Sequence, residues 1–408
     1  MTRRLYYEDP ELTRFSSRLL SQAPLEGAGP PRWAAILEAT AFYPEGGGQP
    51  ADRGSLEGIP VTDVQDREGE VLHFLSAPLG AAAGAEVSGE VDAGRRADFR
   101  RQHTGQHILS AALQSAARAR TVSANLGEEL TSVEVDLSSL SAEALDAAEE
   151  EANRLVCRNL PVLVHWVNPE EAARFPLRKP PPAGLQRLRV VEIPGVDASA
   201  CGGLHVSSTG EVGLIRYAGQ QKIRGRVRLQ WKIGGRAWSE LRAREGVLAE
   251  LARELTCGVE ALPASVRAIR ARLKSQELAL AGAEARLAGL LAERLRGEAE
   301  EVAPGGPKLV CRLLEAESPT LLPALFQELA ASPRTVVCLA TTEGVLSWLL
   351  GCSEDLDLPL GARLPALLAP IEGKGGGRGR RWQGTGRRPQ GWPALCAELG
   401  RLLREPPA

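Results

Sequence analysis

The chain has 408 residues, 43% of them hydrophobic and 25% charged, and a formal net charge of −2. That composition excludes wholesale disorder and a globally basic nucleic-acid binder, and the length calls for several domains. No stretch reaches the roughly 18 apolar residues of a membrane span, and no apolar run follows the basic residues at the amino terminus, so a cytoplasmic location is expected.

From Leu5 to about Ala97, short apolar runs cut by Gly and Pro predict a small β-barrel or sheet. The pattern then turns helical over Asp98–Ala117, where Ile108, Leu109, Ala112 and Leu113 form an apolar stripe. A strand is expected over Ser132–Leu137, and a helix over Ala142–Cys157 with Ser141 as its N-cap. A Pro-rich break, Lys179–Gly184, precedes a strand-rich segment from Leu188 to Ile233. Ser239 to about Val302 reads as helix, with Val266, Leu273, Leu280 and Leu287 recurring every seven residues and Ile269, Ala283 and Leu290 between them. Gln276 interrupts the second row, so a coiled coil and an antiparallel helix pair within one subunit both remain open. A final α/β unit begins near Lys308, with buried-strand runs at Leu309–Leu314 and Thr335–Ala340.

Seven cysteines in so long a chain do not form a disulfide framework. Cys157, Cys257, Cys311, Cys338 and Cys396 sit among Leu, Val and Ala and are expected to be small buried hydrophobes; Cys352 lacks that setting. Cys201 differs, lying in a glycine-flanked loop four residues before a histidine.

His103 and His107 are four apart, which puts both imidazoles on one face of a helix. Such a pair alone is commonly a coincidence of surface or core. Here Cys201-Gly-Gly-Leu-His205 adds a thiolate and a third imidazole in a tight loop, and the four together are a ligand set that suits zinc. His73 and His165 have no partner at ligand spacing and are expected to be structural. A zincin protease is excluded, because Thr104 stands where its glutamate belongs, and the His-x-Glu and Pro-Cys-x-x-Cys of cytidine-type deaminases are absent. Two Cys-x-x-Cys pairs of a zinc ribbon are absent too. Four protein ligands would close a tetrahedral site, whereas a catalytic zinc keeps a position open; either one of the four is displaced or the ion expands to five-coordination.

His103-Thr-Gly-Gln-His107 with Cys201-Gly-Gly-Leu-His205 resembles the editing domain of alanyl-tRNA synthetase and its free-standing AlaX-type relatives. Phe42-Tyr-Pro-Glu-Gly-Gly-Gly-Gln-Pro-Ala-Asp-Arg-Gly54 is similar to the glycine-rich segment before the metal helix in that family, and Thr121–Glu128 and Ser208–Ile215 are similar to its later motifs. Gly373–Gly386 resembles the glycine-rich motif of the DHH-associated domain of long AlaX proteins. Two departures stand out: Leu204 where threonine is usual and Asn125 where histidine is common, and both bear on fine specificity.

The resemblance implies an α+β multidomain chain: a small amino-terminal β-barrel with the Gly-rich motif (1–97), an α+β zinc editing domain (98–238), a helical connector or coiled coil (239–303) and a carboxyl-terminal α/β DHH-associated domain (304–408). It implies a zinc-dependent deacylase acting in trans on tRNA(Ala) mischarged with serine, with glycine a second candidate. With the editing motifs beginning within the first hundred residues, an aminoacylation domain before them is not expected. An alanine pocket cannot strongly exclude glycine or a small hydroxylated analogue, so a second sieve is needed. Gln49, Thr104, Thr121, Ser123 and Asn125 are the candidate substrate contacts, set against ordinary turn chemistry for such residues. Lys374, Arg378, Arg380 and Arg381, with Arg387 and Arg388, form a glycine-rich basic segment that suits the acceptor end of tRNA, or else a disordered loop; Trp382 would stack on a base or anchor the segment. A homodimer through the helical or carboxyl-terminal region, editing of another aminoacyl-tRNA, and an RNA-binding protein with a structural zinc complete the expectations.

Overall fold

The structure, a computed structural model, describes residues 1–25, 32–180, 184, 186–315, 317–358 and 360–404; residues 181–183 of the expected Pro-rich break lie outside the described residues. The chain is a mixed α+β protein with several sheets, divided into two compact units, Met1–Glu250 and Leu251–Ala408. The expected boundaries at 97 and 238 fall inside the first unit, and that at 303 inside the second. Among the described residues no helix is long and apolar enough to cross a membrane.

In the first unit, six strands pair cyclically into a closed barrel in the order Arg14–Leu25, Arg32–Leu37, Glu70–Leu75, Ile59–Arg67, Gly54–Leu56, Glu86–Val91. Alternation fills it: Val87 and Val91 point inward from the last strand and meet Leu19, Leu37, Leu56, Val64 and Leu75. His73 belongs to this core, bonded to Thr40 Oγ1 and the Ala35 carbonyl, as expected of a structural histidine.

The helix that carries the histidine pair runs over Ala93–Ala117, five residues earlier than its apolar stripe suggests. Asp92 is the reason, since its side chain accepts from Arg95 N and caps the first turn. Ile108, Leu109, Ala112 and Leu113 are fully buried against a four-stranded antiparallel sheet, ordered Ile215–Ile223, Arg226–Ile233, Thr131–Val135, Thr121–Leu126, and against the Ala142–Cys157 helix. That second helix has the expected limits and the expected Ser141 cap. Gly105 sets the helix close to the sheet, because a Cβ there would stand 2.8 Å from Ile233 Cγ2. A separate antiparallel sheet, Leu163–Val167, Leu188–Ile193 and Asp197–Ala200, ends directly at Cys201.

The helical stretch expected from 239 is divided into two helices, Gly235–Glu254 and Leu262–Gly297. Thr256 in the left-handed region, Gly258, and Pro263 in the first turn of the second helix interrupt it. In the second unit the Leu262–Gly297 helix buries Ala288, Ala292 and Leu295 near its end, while Val266, Ile269, Leu273, Leu280 and Leu290 are exposed. The rest is a six-stranded sheet in the order Glu300–Glu301, Lys308–Leu314, Thr335–Thr341, Leu346–Cys352, Arg381–Gly386, Lys374–Arg378, parallel only between the second and third strands.

The cysteine expectations need correcting. Cys338 is buried as expected, but so is Cys352, on a strand hidden on both faces, whereas Cys157 at the end of its helix is exposed. Trp382 is a core residue of the second unit, not a base-stacking platform.

Candidate metal centre

Two segments distant in sequence meet at one point. The Ala93–Ala117 helix brings His103 and His107, both buried, and the loop after the Asp197–Ala200 strand brings Cys201 and His205. One ligand atom from each of the four lies within 4.8 Å of the others. Cys201 Sγ is 3.3 Å from His103 Nε2 and 3.4 Å from His205 Nε2. Donors bound at 2.0–2.3 Å to one tetrahedral ion stand roughly 3.3–3.8 Å apart, so the cluster has the dimensions of a metal site. The glycines of the Cys-Gly-Gly motif are required by this crowding: a Cβ on Gly203 would overlap the His103 imidazole.

Each imidazole is held from behind by its other nitrogen. His103 Nδ1 meets Gln49 Oε1 at 2.8 Å, His107 Nδ1 meets Asp197 Oδ2 at 2.8 Å, and His205 Nδ1 meets Thr104 Oγ1 at 3.1 Å. Three different partners therefore leave Nε2 as the nitrogen available to a metal on all three rings. The loop is fastened as well: Arg189 donates to the carbonyls of Cys201 and Gly203, and Arg100 to that of His205. Burial pushes His103 down to about 3, with Arg189 and Arg178 adding to it, and burial likewise holds His205 well below its ordinary value. Burial is the largest single influence on Cys201 and His107 and opposes ionisation of both, but their other interactions together outweigh it: His107, the Gly203 N–H and Arg189 lower the thiol, and Asp197 with Cys201 raises the imidazole. Neutral imidazoles at His103 and His205 and a thiol biased toward thiolate are states that metal binding requires.

A cavity of about 300 Å³ opens on the face made by His103, His107 and Cys201; His205 is not in its wall. Gln106, Thr121, Arg178, Lys179 and Ser199 also line it. Of the five candidate substrate contacts, Thr121 is there, bonded to Ser110 Oγ. Gln49 and Thr104 are buried at the cluster but act through histidine nitrogens rather than facing the cavity. Ser123 and Asn125 are exposed and outside its wall, because the register against Thr131–Val135 slips by one residue and turns Thr121 and Ala124 inward instead. Leu204 packs on Tyr6 and Tyr43, so its side chain does not shape the cavity either.

Sequence reasoning missed Asp197, Ser199, Arg178 and Lys179. A signal for the first two existed: Asp197 and Ser199 alternate along the strand that leads into Cys201, and so share a face. None existed for Arg178 and Lys179.

The basic residues of the tail lie in the second unit. Lys374 and Arg378 are exposed on the Lys374–Arg378 edge strand, Arg380 is in the turn, and Arg381 is half-buried with its guanidinium 5.7 Å from the Phe326 ring centre. The segment is an ordered antiparallel hairpin, and Arg388 pairs with Glu372.

A family description, "Threonyl and Alanyl tRNA synthetase second additional domain", matches residues 188–229, the stretch containing Cys201 and His205. The chain is 31% identical over 399 residues to the alanine–tRNA ligase of Pyrococcus abyssi, covering 95% of this chain and 42% of the ligase. It is 34% identical over 250 residues to the alanyl-tRNA editing protein AlaX-L of Pyrococcus horikoshii, covering 59% of this chain and 60% of that protein. The chain thus spans less than half the length of the ligases it matches. The C-Ala domain of the Aquifex aeolicus alanyl-tRNA synthetase aligns with 26% of this chain at 24% identity and a TM-score of 0.24.

Proposed function

The chain is an AlaX-type protein related to the editing and carboxyl-terminal domains of alanyl-tRNA synthetase, and on that premise we propose that it is a zinc-dependent hydrolase that deacylates Ser-tRNA(Ala), with Gly-tRNA(Ala) as a second candidate. The observation that carries this reading is the convergence of three imidazoles and one thiol within 4.8 Å beneath a cavity, a donor set that suits zinc. His103, His107, Cys201 and His205 would hold the ion, which when bound polarises the ester carbonyl as a Lewis acid. Gln49, Asp197 and Thr104 orient the rings, and the cavity on the His103–His107–Cys201 face supports approach of the charged 3′ end from that side.

Discrimination between serine and alanine falls to polar groups in the cavity wall. Thr121 and Gln106 both bond to Ser110 and offer partners for a serine hydroxyl. A site built to hydrogen-bond a hydroxyl leaves buried polar groups unpaired when alanine enters, which spares the correct product. Lys374, Arg378, Arg380 and Arg381 are assigned to tRNA phosphates, a second copy of the chain to the exposed apolar row of the Leu262–Gly297 helix, and the cytoplasm to the site of action.

The test is deacylation of Ser-, Gly- and Ala-tRNA(Ala) and of Ser-tRNA(Thr), with and without chelator. Hydrolysis of Ser-tRNA(Ala) that chelator abolishes is expected. No hydrolysis of any of the four by zinc-loaded protein overturns the enzyme reading, and chelation that unfolds the first unit without any prior activity supports a structural zinc instead.

A further inference from the structure

Two depressions in the first unit share a wall. The cavity over the metal cluster is bounded on its far side by Thr121, Arg178, Lys179 and Pro180. The same four residues form the near side of a second depression of about 660 Å³, whose further wall carries Arg120 and Arg226. Together they make a trough that leads away from the cluster and presents four cations. The acid in its wall is Asp136, already paired with Arg120 at 2.8 Å.

The cations nearest the cluster are held in place but not used up. Arg178 Nη2 donates to Ser199 Oγ at 3.0 Å, and its Nε lies 3.1 Å from Asp197 Oδ1. Its Nη1 is buried and, among the described residues, has no hydrogen-bond partner. A buried guanidinium nitrogen left empty at the edge of a cavity is costly unless an acceptor arrives. Lys179 Nζ has one bond, to the Val122 carbonyl at 2.8 Å, and burial followed by the charge of Arg178 depresses it, which an incoming anion would relieve. Arg120 and Arg226 at the outer end are exposed and paired with Asp136 and Glu134, the latter at 3.4 Å, so solvent-screened pairs that a polyanion can displace stand there.

We propose that this trough binds the last phosphodiesters of a single-stranded RNA 3′ end, with Arg178 and Lys179 on the linkage nearest the ester and Arg120 and Arg226 on the linkage before it. The inference rests on the deacylase reading only for which end of the strand lies at the cluster. It gives the first unit its own grip on the acceptor strand, apart from the hairpin of the second unit.

The test uses the full chain and a fluorescent, uncharged RNA tetranucleotide ending in CCA, alongside the same sequence with neutral methylphosphonates at its last two linkages. Wild-type protein is expected to bind the natural strand at least tenfold tighter. Each phosphate contact removed is expected to lower the slope of log K against log salt by about 0.7. The Arg120→Gln, Arg226→Gln, Lys179→Gln triple variant, whose residues do not touch the four ligands, should keep its metal content and lose most of that preference. Equal binding of the two strands by wild type, or an undiminished preference in the triple variant, overturns the trough. Deacylation assays on the same preparations separate the two ideas: hydrolysis without a backbone preference rejects the trough alone, and a backbone preference without hydrolysis supports the trough while rejecting the deacylase.

Discussion

Gly46-Gly47-Gly48 and Gly375-Gly376-Gly377 look alike in sequence, and each stands beside functional candidates, yet the two glycine triplets do different physical work. In the first unit Gly47 and Gly48 take positive φ, and a Cβ on Gly48 would stand 2.7 Å from the Ala124 carbonyl oxygen, so the loop presses onto the neighbouring strand and drives the uncharged Gln49 amide into the cluster. In the second unit none of the three takes positive φ; Gly375 and Gly377 instead let one edge strand lie flush against the Arg381–Gly386 strand, leaving Lys374 and Arg378 in solvent. A buried neutral group can fix one ring nitrogen with high geometric demand. Exposed cations can follow a polyanion but cannot fix anything, since solvent and salt screen them.

If the first region is the rigid one, damage there should be severe. His107→Ala is expected to reduce bound zinc and Ser-tRNA(Ala) hydrolysis to background while thermal unfolding of the second unit is unchanged; full activity would remove His107 from the centre. Asp52, in the same glycine-rich segment, forms a buried pair with Arg96 of the metal helix and also accepts from Tyr43 N. Asp52→Ala leaves an uncompensated buried charge and should cost about 3–5 kcal/mol in denaturant unfolding. A loss below about 1 kcal/mol would mean that the segment is not anchored there.

Acid should act on the barrel through His73. Burial lowers it from 6.5 to about 4, so the fold favours the neutral ring. The resulting stability is present above pH 6.5 and is lost as pH falls from there through 4, an interval worth about 3 kcal/mol at 1.36 kcal/mol per pH unit. Unfolding midpoints measured between pH 7 and 4 should show this slope, and His73→Leu should flatten it. Asp197→Asn is a smaller change, expected to weaken zinc binding about 10- to 100-fold in a competition titration, because the carboxylate behind His107 orients it and strengthens it as a donor. Smallest of all, Arg378→Ala with Arg380→Ala should raise the KM for charged tRNA several-fold at low salt and scarcely at all at high salt, the signature of screened contacts. A salt-independent effect would assign the hairpin a more specific role than the comparison allows.

The candidate ligands were legible because each pair is local: four residues along a helix, or four across a turn, is a spacing that sequence displays directly. So was the Ala142–Cys157 helix, whose Ser141 cap is written next to it. What was hidden depended on pairing between distant segments. Asp197 reaches His107 across 90 residues, and the slip opposite Glu134 and Val135 decides that Thr121, not Ser123 or Asn125, faces the cavity. The burial of Cys352 was hidden for a related cause, since its polar neighbours in sequence do not reveal a strand buried between two layers of apolar side chains, whereas the anchoring role open to Trp382 is the one its core position fits.

Gln49 accepts from the Leu204 backbone as well as facing His103, so one amide from the amino-terminal segment joins both halves of the ligand set. If the four residues hold an ion as proposed, its retention and the docking of that segment are thermodynamically linked. Anything that loosens the barrel end of the first unit raises the rate of metal loss without altering a ligand, and the off-rate to a chelator becomes a gauge of how firmly that segment is seated.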